Sequence, residues 1–242
     1  MSTTITGPGW TVTLLGQMRI ECAGRTIHLP HRQQRLVALL ALRSVMHRRV
    51  VAATLWPDSA DAKAGLSVRA TLHQINENAR GLVECVGDEV RLGTATVDAD
   101  ALCQCAGQVE AGRRTPPASR ATLVRGALLP GWDEEWLEEP RAHLERHRLA
   151  ALESASAAQL VSGNSVDAID LAERAVASDP LCESAHYLIV QGHLAAGNRA
   201  RAMMAYRRLV ETLRRELDIR PSLAFEDVAS VVPVRRFAGA AL

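Results

Sequence analysis

The sequence predicts a mainly α-helical protein with a mixed α+β part at its amino-terminal end. Residues 11–97 change from alternating apolar residues to three helical patterns and then to a hairpin pattern. From residue 136 onward the pattern is helical and contains an internal repeat. We therefore expect two domains, over residues 1–97 and 98–242.

The composition is that of a globular protein. Of the 242 residues, 48% are hydrophobic, which is enough to bury a core. No run of about eighteen apolar residues could span a membrane, and the first residues lack the basic and apolar regions of a signal peptide. The five cysteines form no Cys-x-x-Cys pair, which is typical of reduced thiols. We expect a soluble, cytoplasmic protein with no membrane partner.

The positive charge is concentrated in the amino-terminal domain. Residues 1–97 hold 11 Lys and Arg against 7 Asp and Glu, whereas the remaining residues hold 17 against 20. This excess favours the amino-terminal domain as the partner of a polyanion such as DNA, although an excess of four charges is small.

The order of the amino-terminal elements is strands, three helices and a hairpin. Alternating apolar residues over 11–29 predict a platform of two or three antiparallel strands. Helices are predicted over residues 31–46, about 50–56, where Pro57 ends the helix, and about 61–79. The segment LVECVGDEVRLG then predicts two strands that turn at Gly87 and Asp88. This order is that of a winged helix-turn-helix.

The third predicted helix has one apolar side and one polar side. Ala64, Val68, Leu72, Ile75 and Ala79 form the apolar stripe, and Asp58, Ser59 and Asp61 are candidate N-caps. The other side is a candidate DNA-reading face, because its polar side chains reach base edges and phosphates; taken alone, it fits an ordinary solvated face equally well. The candidates for DNA contact are Lys63, Ser67, Arg69, His73 and Gln74, with Arg48 and Arg49 at the start of the second helix and Arg91 on the hairpin.

The carboxy-terminal part contains the internal repeat. The residues AGRRTPPAS, 111–119, predict an exposed loop. Residues 160–176 match residues 194–210, and the shared Leu-x-x-Gly-Asn places glycine at the turn between two helices. This spacing equals the tetratricopeptide period of about 34 residues. With alanine where the helices approach each other, it predicts stacked tetratricopeptide-like hairpins.

Enzymatic and metal-binding interpretations are weak. We interpret Glu134, Glu135, Glu138 and Glu139 as the solvated face of a helix with aromatic anchors, since no nucleophile motif or phosphate-binding glycine loop accompanies them. His143 and His147 are spaced for a metal, but no third ligand lies nearby in the sequence. We expect no enzyme activity and no metal.

These motifs resemble the Streptomyces antibiotic regulatory protein family of actinobacterial activators. The similarity is carried by LLGQMRIECAGRTIHLPHRQQRLVALLALRS and VVAATLWPD in the first part, and by LLPGWDEEWLEEPRAHLE and RRELDIRPS in the second, which resembles a bacterial transcriptional activation domain. The resemblance implies an OmpR-type winged helix whose third helix enters the major groove, with a homodimer or paired protomers on direct repeats of promoter DNA near the −35 element.

The resemblance also implies a contact with RNA polymerase through the loop of Pro57, Asp58, Ser59 and Ala60, and control of a biosynthetic or regulatory operon in a GC-rich actinobacterium. Since nothing follows the activation domain in this sequence, we expect no ATPase or sensor module and no cofactor.

Two departures from the family pattern bear on DNA binding. Asn76 stands where a second recognition-helix arginine is usual, and the segment SVMHRRV lacks the glycine usual between the first two helices. Losing one arginine is expected to lower the salt dependence of binding by about one phosphate contact. The leading hypothesis is a sequence-specific activator. The alternative is a tetratricopeptide-type protein-interaction module whose winged helix has weak or lost DNA affinity, as Asn76, Glu77 and Asn78 suggest.

Overall fold

A computed structural model describes residues 9–113 and 121–230. They divide into two compact units: residues up to 102 together with 125–144, and residues 103–124 together with those from 145 onward. The domain boundary placed after residue 97 remains a prediction.

The first ten elements all lie in the first unit. In chain order they are β1 (Trp10–Thr13), β2 (Arg19–Cys22), β3 (Arg25–Thr26), α1 (His31–Arg43), β4 (Val45–His47), α2 (Arg48–Leu55), α3 (Asp61–Asn78), β5 (Val83–Val86), β6 (Glu89–Leu92) and β7 (Ala95–Val97).

Within residues 98–113 and 121–230, the later elements are α-helices and one short 3₁₀ helix. In chain order they are α4 (Asp98–Glu110), the 3₁₀ helix (Glu135–Leu137), α5 (Glu138–Val161), α6 (Ser165–Ser178), α7 (Glu183–Ala195), α8 (Arg199–Leu217) and α9 (Phe225–Ser230). The prediction of a mainly α fold with an α+β amino-terminal part is confirmed. In the part of the chain that is described, no helix is long and apolar enough to cross a membrane.

The platform sheet has four strands in the order β3-β2-β1-β7. β1 pairs antiparallel with β2, and Val12 and Ile20, which face each other in the register, are both buried. The sequence predicts at most three strands here. The fourth, β7, is short and pairs parallel with β1, so that Val97 lies opposite Val12. Because β1 is distant from β7 in the sequence, no local turn signal predicts this strand.

The start of α4 is attached to this platform by one buried carboxylate. Asp98 Oδ1 accepts a hydrogen bond from the Leu14 backbone N–H at 2.7 Å, and Oδ2 accepts one from Leu15 N–H at 3.1 Å. Arg125 Nη1 lies 3.2 Å from Oδ2. Asp98 therefore satisfies two backbone groups that lie at the buried end of the platform.

The second sheet contains the predicted hairpin and one strand that the sequence does not reveal. β5 and β6 pair antiparallel and are joined by the expected two-residue turn at Gly87 and Asp88. β4 pairs with the other edge of β6, so residues 45–47 form a strand and the helix predicted to residue 46 ends at Arg43. The helix ends at Ser44, whose φ of 62° and ψ of −88° lie outside the helical region.

Ser44 explains how the chain makes this turn without the usual glycine. Its positive φ is the conformation that glycine adopts at little steric cost, and its backbone N–H donates to Leu40 O at 2.9 Å. The serine thus supplies the same change of direction at some cost in backbone strain.

Residues 125–144 belong to the same compact unit as the platform and the three helices. Glu134 forms an ion pair with Arg35 of α1, and Trp136 Nε1 donates to Glu134 Oε2 at 2.8 Å. The interpretation of Glu134 as part of a solvated helix face is wrong, because only 13% of its side chain is exposed. Glu135, Glu138 and Glu139 are exposed, as expected.

The second unit confirms the predicted helical repeat. Gly163 and Gly197, at equivalent positions of the two repeats, both have positive φ at the turn that precedes a helix. Asn164 and Asn198 follow them and act as N-caps, accepting from the backbone N–H of Asp167 and Arg201. Ala168 and Ala202 are fully buried where α6 and α8 pack against their neighbours. Of the loop predicted over residues 111–119, residues 114–119 lie outside the described part.

Candidate nucleic-acid interface

Helix α3 is oriented by a narrow buried side. Ala64, Val68, Ile75 and Ala79 of the predicted stripe are buried, whereas Leu72 is half-buried. The fully buried Thr71 completes this side, and its hydroxyl donates to Ser67 O within the helix at 2.8 Å. The sequence stripe missed Thr71 because a threonine becomes compatible with a core once its hydroxyl has a local acceptor.

The N-terminus of α3 differs from the prediction. The N-cap is Ala60, with no side-chain hydrogen bond, so the expectation that Asp58, Ser59 or Asp61 caps the helix is wrong. Asp61 instead lies in the first turn, where its charge is favourable to the helix dipole. Asp58, Pro57 and Ala60 are exposed, and this leaves the loop before α3 open to solvent.

The exposed side of α3 carries most of the predicted DNA contacts. Lys63, Arg69 and His73 are exposed and lie away from the buried stripe. On a helical wheel, Ser67 and Gln74 lie on the flank towards α1, where Arg32 Nη2 reaches Ser67 O at 3.5 Å and Gln33 Nε2 lies 3.4 Å from Gln74 Oε1. The structure therefore brings Lys63, Arg69 and His73 to the outward face and holds Ser67 and Gln74 beside α1.

The N-terminus of α2 adds two arginines to this surface. His47 is the N-cap, and its Nδ1 accepts a hydrogen bond from the Arg49 backbone N–H at 3.2 Å. The Arg49 side chain is exposed. The Arg48 guanidinium is partly occupied, because it donates to Gly87 O at 2.7 Å and lies 3.4 Å from the Asp88 carboxylate.

A cleft of about 1050 Å³ lies between α2 and α3. Arg48 and Arg49 line it from α2 and Arg69 lines it from α3, while Trp56 and Leu66 contribute apolar surface. Asp61 and Asp88 also line the cleft, so three guanidinium groups and two carboxylates surround one opening. The excess of one positive charge on this concave surface favours phosphate oxygens.

The hairpin arginine is engaged within its own sheet. Arg91 faces Glu84 in the β5–β6 register, and its Nε and Nη2 donate to Glu84 Oε2 at 3.0 and 2.9 Å. Both side chains are about half exposed, so the pair is accessible but already neutralised.

The last turns of α3 carry little positive charge. His73 Nε2 lies 3.3 Å from Glu77 Oε1, and Asn78 Nδ2 donates back to Gln74 O. Asn76 is exposed, so a side chain at this position faces solvent, as the arginine it replaces would. The helix therefore presents positive charge mainly in its first half.

One cation near this surface was missed by the sequence reasoning. Arg32, at the start of α1, lies over the Trp56 ring with its Cζ 5.2 Å from the ring centre, and it also reaches the Ser67 carbonyl. It lies in the polar segment HRQQR directly after Pro30, and nothing in this sequence position indicates that the arginine lies near α3.

The fold and the basic cleft define a winged-helix regulator that carries helical repeats. The chain belongs to the bacterial transcriptional activator domain family, whose model matches residues 88–232. The resemblance to the Streptomyces antibiotic regulatory protein family, a family of transcriptional regulators, is confirmed.

The fold is similar to that of a solved structure of Mycobacterium tuberculosis EmbR in complex with a low-affinity phosphopeptide. The TM-score is 0.71 at 19% identity, over 92% of this chain and 64% of that chain. The chain thus spans less than two thirds of that protein's length, and at this identity the similarity is one of fold. No curated protein matches the sequence.

Proposed function

We propose that this protein activates transcription by binding promoter DNA in a sequence-specific manner, with α3 in the major groove. The observation that carries the proposal is the cleft in which Arg48 and Arg49 of α2 meet Arg69 of α3. In this arrangement the α2 arginines contact the phosphate backbone, while Lys63, Arg69 and His73 reach base edges and adjacent phosphates.

Two protomers would then lie side by side on direct repeats next to the −35 element, about one helical turn apart. The loop of Pro57, Asp58, Ser59 and Ala60, in which Ser59 is half-buried and the others are exposed, would face RNA polymerase, and the target would be a biosynthetic or regulatory operon. Arg91 would contact the DNA backbone only after exchanging Glu84 for a phosphate.

Electrophoretic mobility shift with the gene's own upstream region tests this proposal, with unrelated DNA of equal length as competitor. Arg69→Ala is expected to weaken specific binding by about 1–3 kcal/mol, or about 5- to 150-fold, and to leave the unfolding midpoint unchanged because Arg69 is exposed. Arg25→Ala, on the exposed β3 strand of the other sheet, is the matched control and should bind as the wild type does. Equal competition by specific and unrelated DNA would contradict the proposal.

The second candidate is a protein-interaction module with little DNA affinity. It is favoured by the internal pairing of two cations, Arg91 with Glu84 and Arg48 with Asp88, and by the contact of His73 with Glu77. The exposed Leu66 in the middle of the outward face of α3 also fits protein better than DNA. DNA binding to the upstream region that persists above physiological salt would exclude the interaction module. No DNA binding even at low salt would favour it.

A further inference from the structure

The helical unit contains a groove in which the charged residues of α8 differ from those at the equivalent positions of α6 in the internal repeat. Glu173 and Val176 of α6 form one wall, and Arg201, Met204 and Arg208 of α8 form the other. Its floor is provided by α7, including the buried residues His186 and Ile189. The groove has a volume of about 450 Å³, enough for one or two aliphatic side chains of a partner.

Comparison of α6 with α8, its equivalent in the next repeat, shows what has changed. In α6, Arg174 is neutralised by Asp170, with Arg174 Nε 3.0 Å from Asp170 Oδ2. The residue equivalent to Arg174 is Arg208, but the residue equivalent to Asp170 is Met204, which is 56% exposed. Arg208 has therefore kept its charge and lost the neighbour that would neutralise it.

A second position shows the same change. Asp167 of α6, which hydrogen-bonds the Asn164 side chain, is replaced in α8 by Arg201. Neither Arg201 nor Arg208 forms an ion pair with any residue in the described part of the chain, and both are exposed. Two turns apart on one helix, they lie about 10 Å from each other, with Met204 and Ala205 between them.

We propose that this groove binds an acidic amphipathic helix of a partner protein. Two carboxylates two turns apart on that helix would pair with Arg201 and Arg208, and apolar side chains between them would cover Met204 and enter the groove above Ile189. Among the described residues that line the groove, Glu173 is the one carboxylate and lies on the α6 wall, so the acidic side of the occupant faces α8. This inference does not rest on DNA binding, since every residue it uses lies in the second unit.

The test is fluorescence polarisation of a labelled synthetic helix titrated with the full chain. One peptide carries two glutamates two turns apart with two leucines between them on the same face, and the control peptide carries glutamines instead. The glutamate peptide should bind saturably. Exposed ion pairs are each worth up to about fivefold in affinity, so the glutamine peptide should bind several-fold more weakly.

Variants of the groove sharpen the test. Arg201→Glu with Arg208→Glu replaces attraction by repulsion at both positions and should weaken the glutamate peptide about tenfold or more. Met204→Asp restores the carboxylate that α6 has at the equivalent position, so it should weaken binding by neutralising Arg208. Arg174→Glu alters the equivalent arginine outside the groove and should have no effect.

Four outcomes would overturn the proposal: no saturable binding, equal binding of both peptides, equal loss in the Arg174→Glu control, or a self-association that the double variant abolishes without affecting the peptide. The last result would assign the groove to a second copy of this chain. Helical content measured by circular dichroism verifies that each variant is folded. If the double variant Arg201→Glu with Arg208→Glu does not fold, Met204→Asp still tests the proposal.

Discussion

Replacing Ser44 by glycine should stabilise the first unit. The residue lies in a sparsely populated backbone conformation, with φ of 62° and ψ of −88°, and a side chain held there costs about 1–3 kcal/mol. Glycine removes most of this strain but costs about 0.5–1 kcal/mol in chain entropy. The net gain is expected to be about 1 kcal/mol.

Ser44→Ala separates backbone strain from loss of the hydroxyl. Alanine retains Cβ, and therefore the strain, while Ser44 is exposed at the protein surface. The alanine variant should lie within about 0.5 kcal/mol of the wild type. If Ser44→Gly raises the free energy of unfolding and Ser44→Ala does not, the gain comes from relief of backbone strain.

Tryptophan fluorescence during urea unfolding is a selective assay for this prediction. The four tryptophans, Trp10, Trp56, Trp132 and Trp136, all belong to the first unit, so their signal does not report directly on the helical repeats. For urea slopes of about 1–3 kcal/mol per molar, a gain of about 1 kcal/mol raises the midpoint by about 0.3–1 M. A glycine midpoint equal to or below that of the alanine variant would refute the strain argument.

Three further changes have defined outcomes. Asp98→Ala leaves the Leu14 and Leu15 N–H groups without an acceptor and should cost about 2–5 kcal/mol of unfolding free energy in the same fluorescence assay. Asp100 is exposed in the same first turn, so Asp100→Ala should cost less than about 1 kcal/mol. Equal losses in the two variants would contradict the role of Asp98. Gly93→Ala places Cβ in steric conflict with the Gly81 carbonyl oxygen, so it should destabilise the first unit by more than about 1 kcal/mol. An unchanged midpoint would show that this backbone contact relaxes freely. Glu183→Gln should lower the melting temperature of the helical unit at neutral pH, with a difference from wild type that shrinks below about pH 4; a difference independent of pH would contradict the ionic role.

The direction of the Glu183 effect follows from its partners. Burial raises the pKa of the Glu183 carboxyl, but hydrogen bonds from Tyr187 and from the Ser222 hydroxyl and backbone N–H outweigh it, so the pKa is lowered. A lowered pKa in the folded state contributes stability above the ordinary glutamate value, and this stability is lost as the pH falls through the folded value. Burial and the same carboxylate raise the pKa of Tyr187 to about 12, so the tyrosine remains a donor throughout the neutral range.

This network attaches the segment that precedes α9 to helices α7 and α8. Tyr187 Oη accepts from Leu223 N–H at 3.0 Å, while Tyr206 Oη donates to Leu223 O at 2.8 Å. Beyond it, Phe225 and Val228 of α9 are buried against Val190 and Ala202. Helix α9 thus covers an apolar face that a further repeat would otherwise bury.

Local patterns in the sequence were sufficient to predict most of the helices and strands. Period-2 and period-3.6 burial, the Gly87-Asp88 turn and the Gly-Asn repeat are each encoded within a few residues, so the hairpin, α3 and the repeated helices could be predicted. The outward positions of Lys63, Arg69 and His73 followed from the same periodicity. Their role in DNA binding remains a prediction.

Contacts between distant residues were decided only by the tertiary structure. The parallel strand β7, the Asp98 carboxylate beneath Leu14, and the Arg35–Glu134 pair join segments that lie far apart in the sequence. No periodicity specifies such partners, since each depends on how the whole unit packs. Ser44 shows the same limit locally: a serine is compatible with helix, and it turns the chain here because β4 must reach the edge of β6.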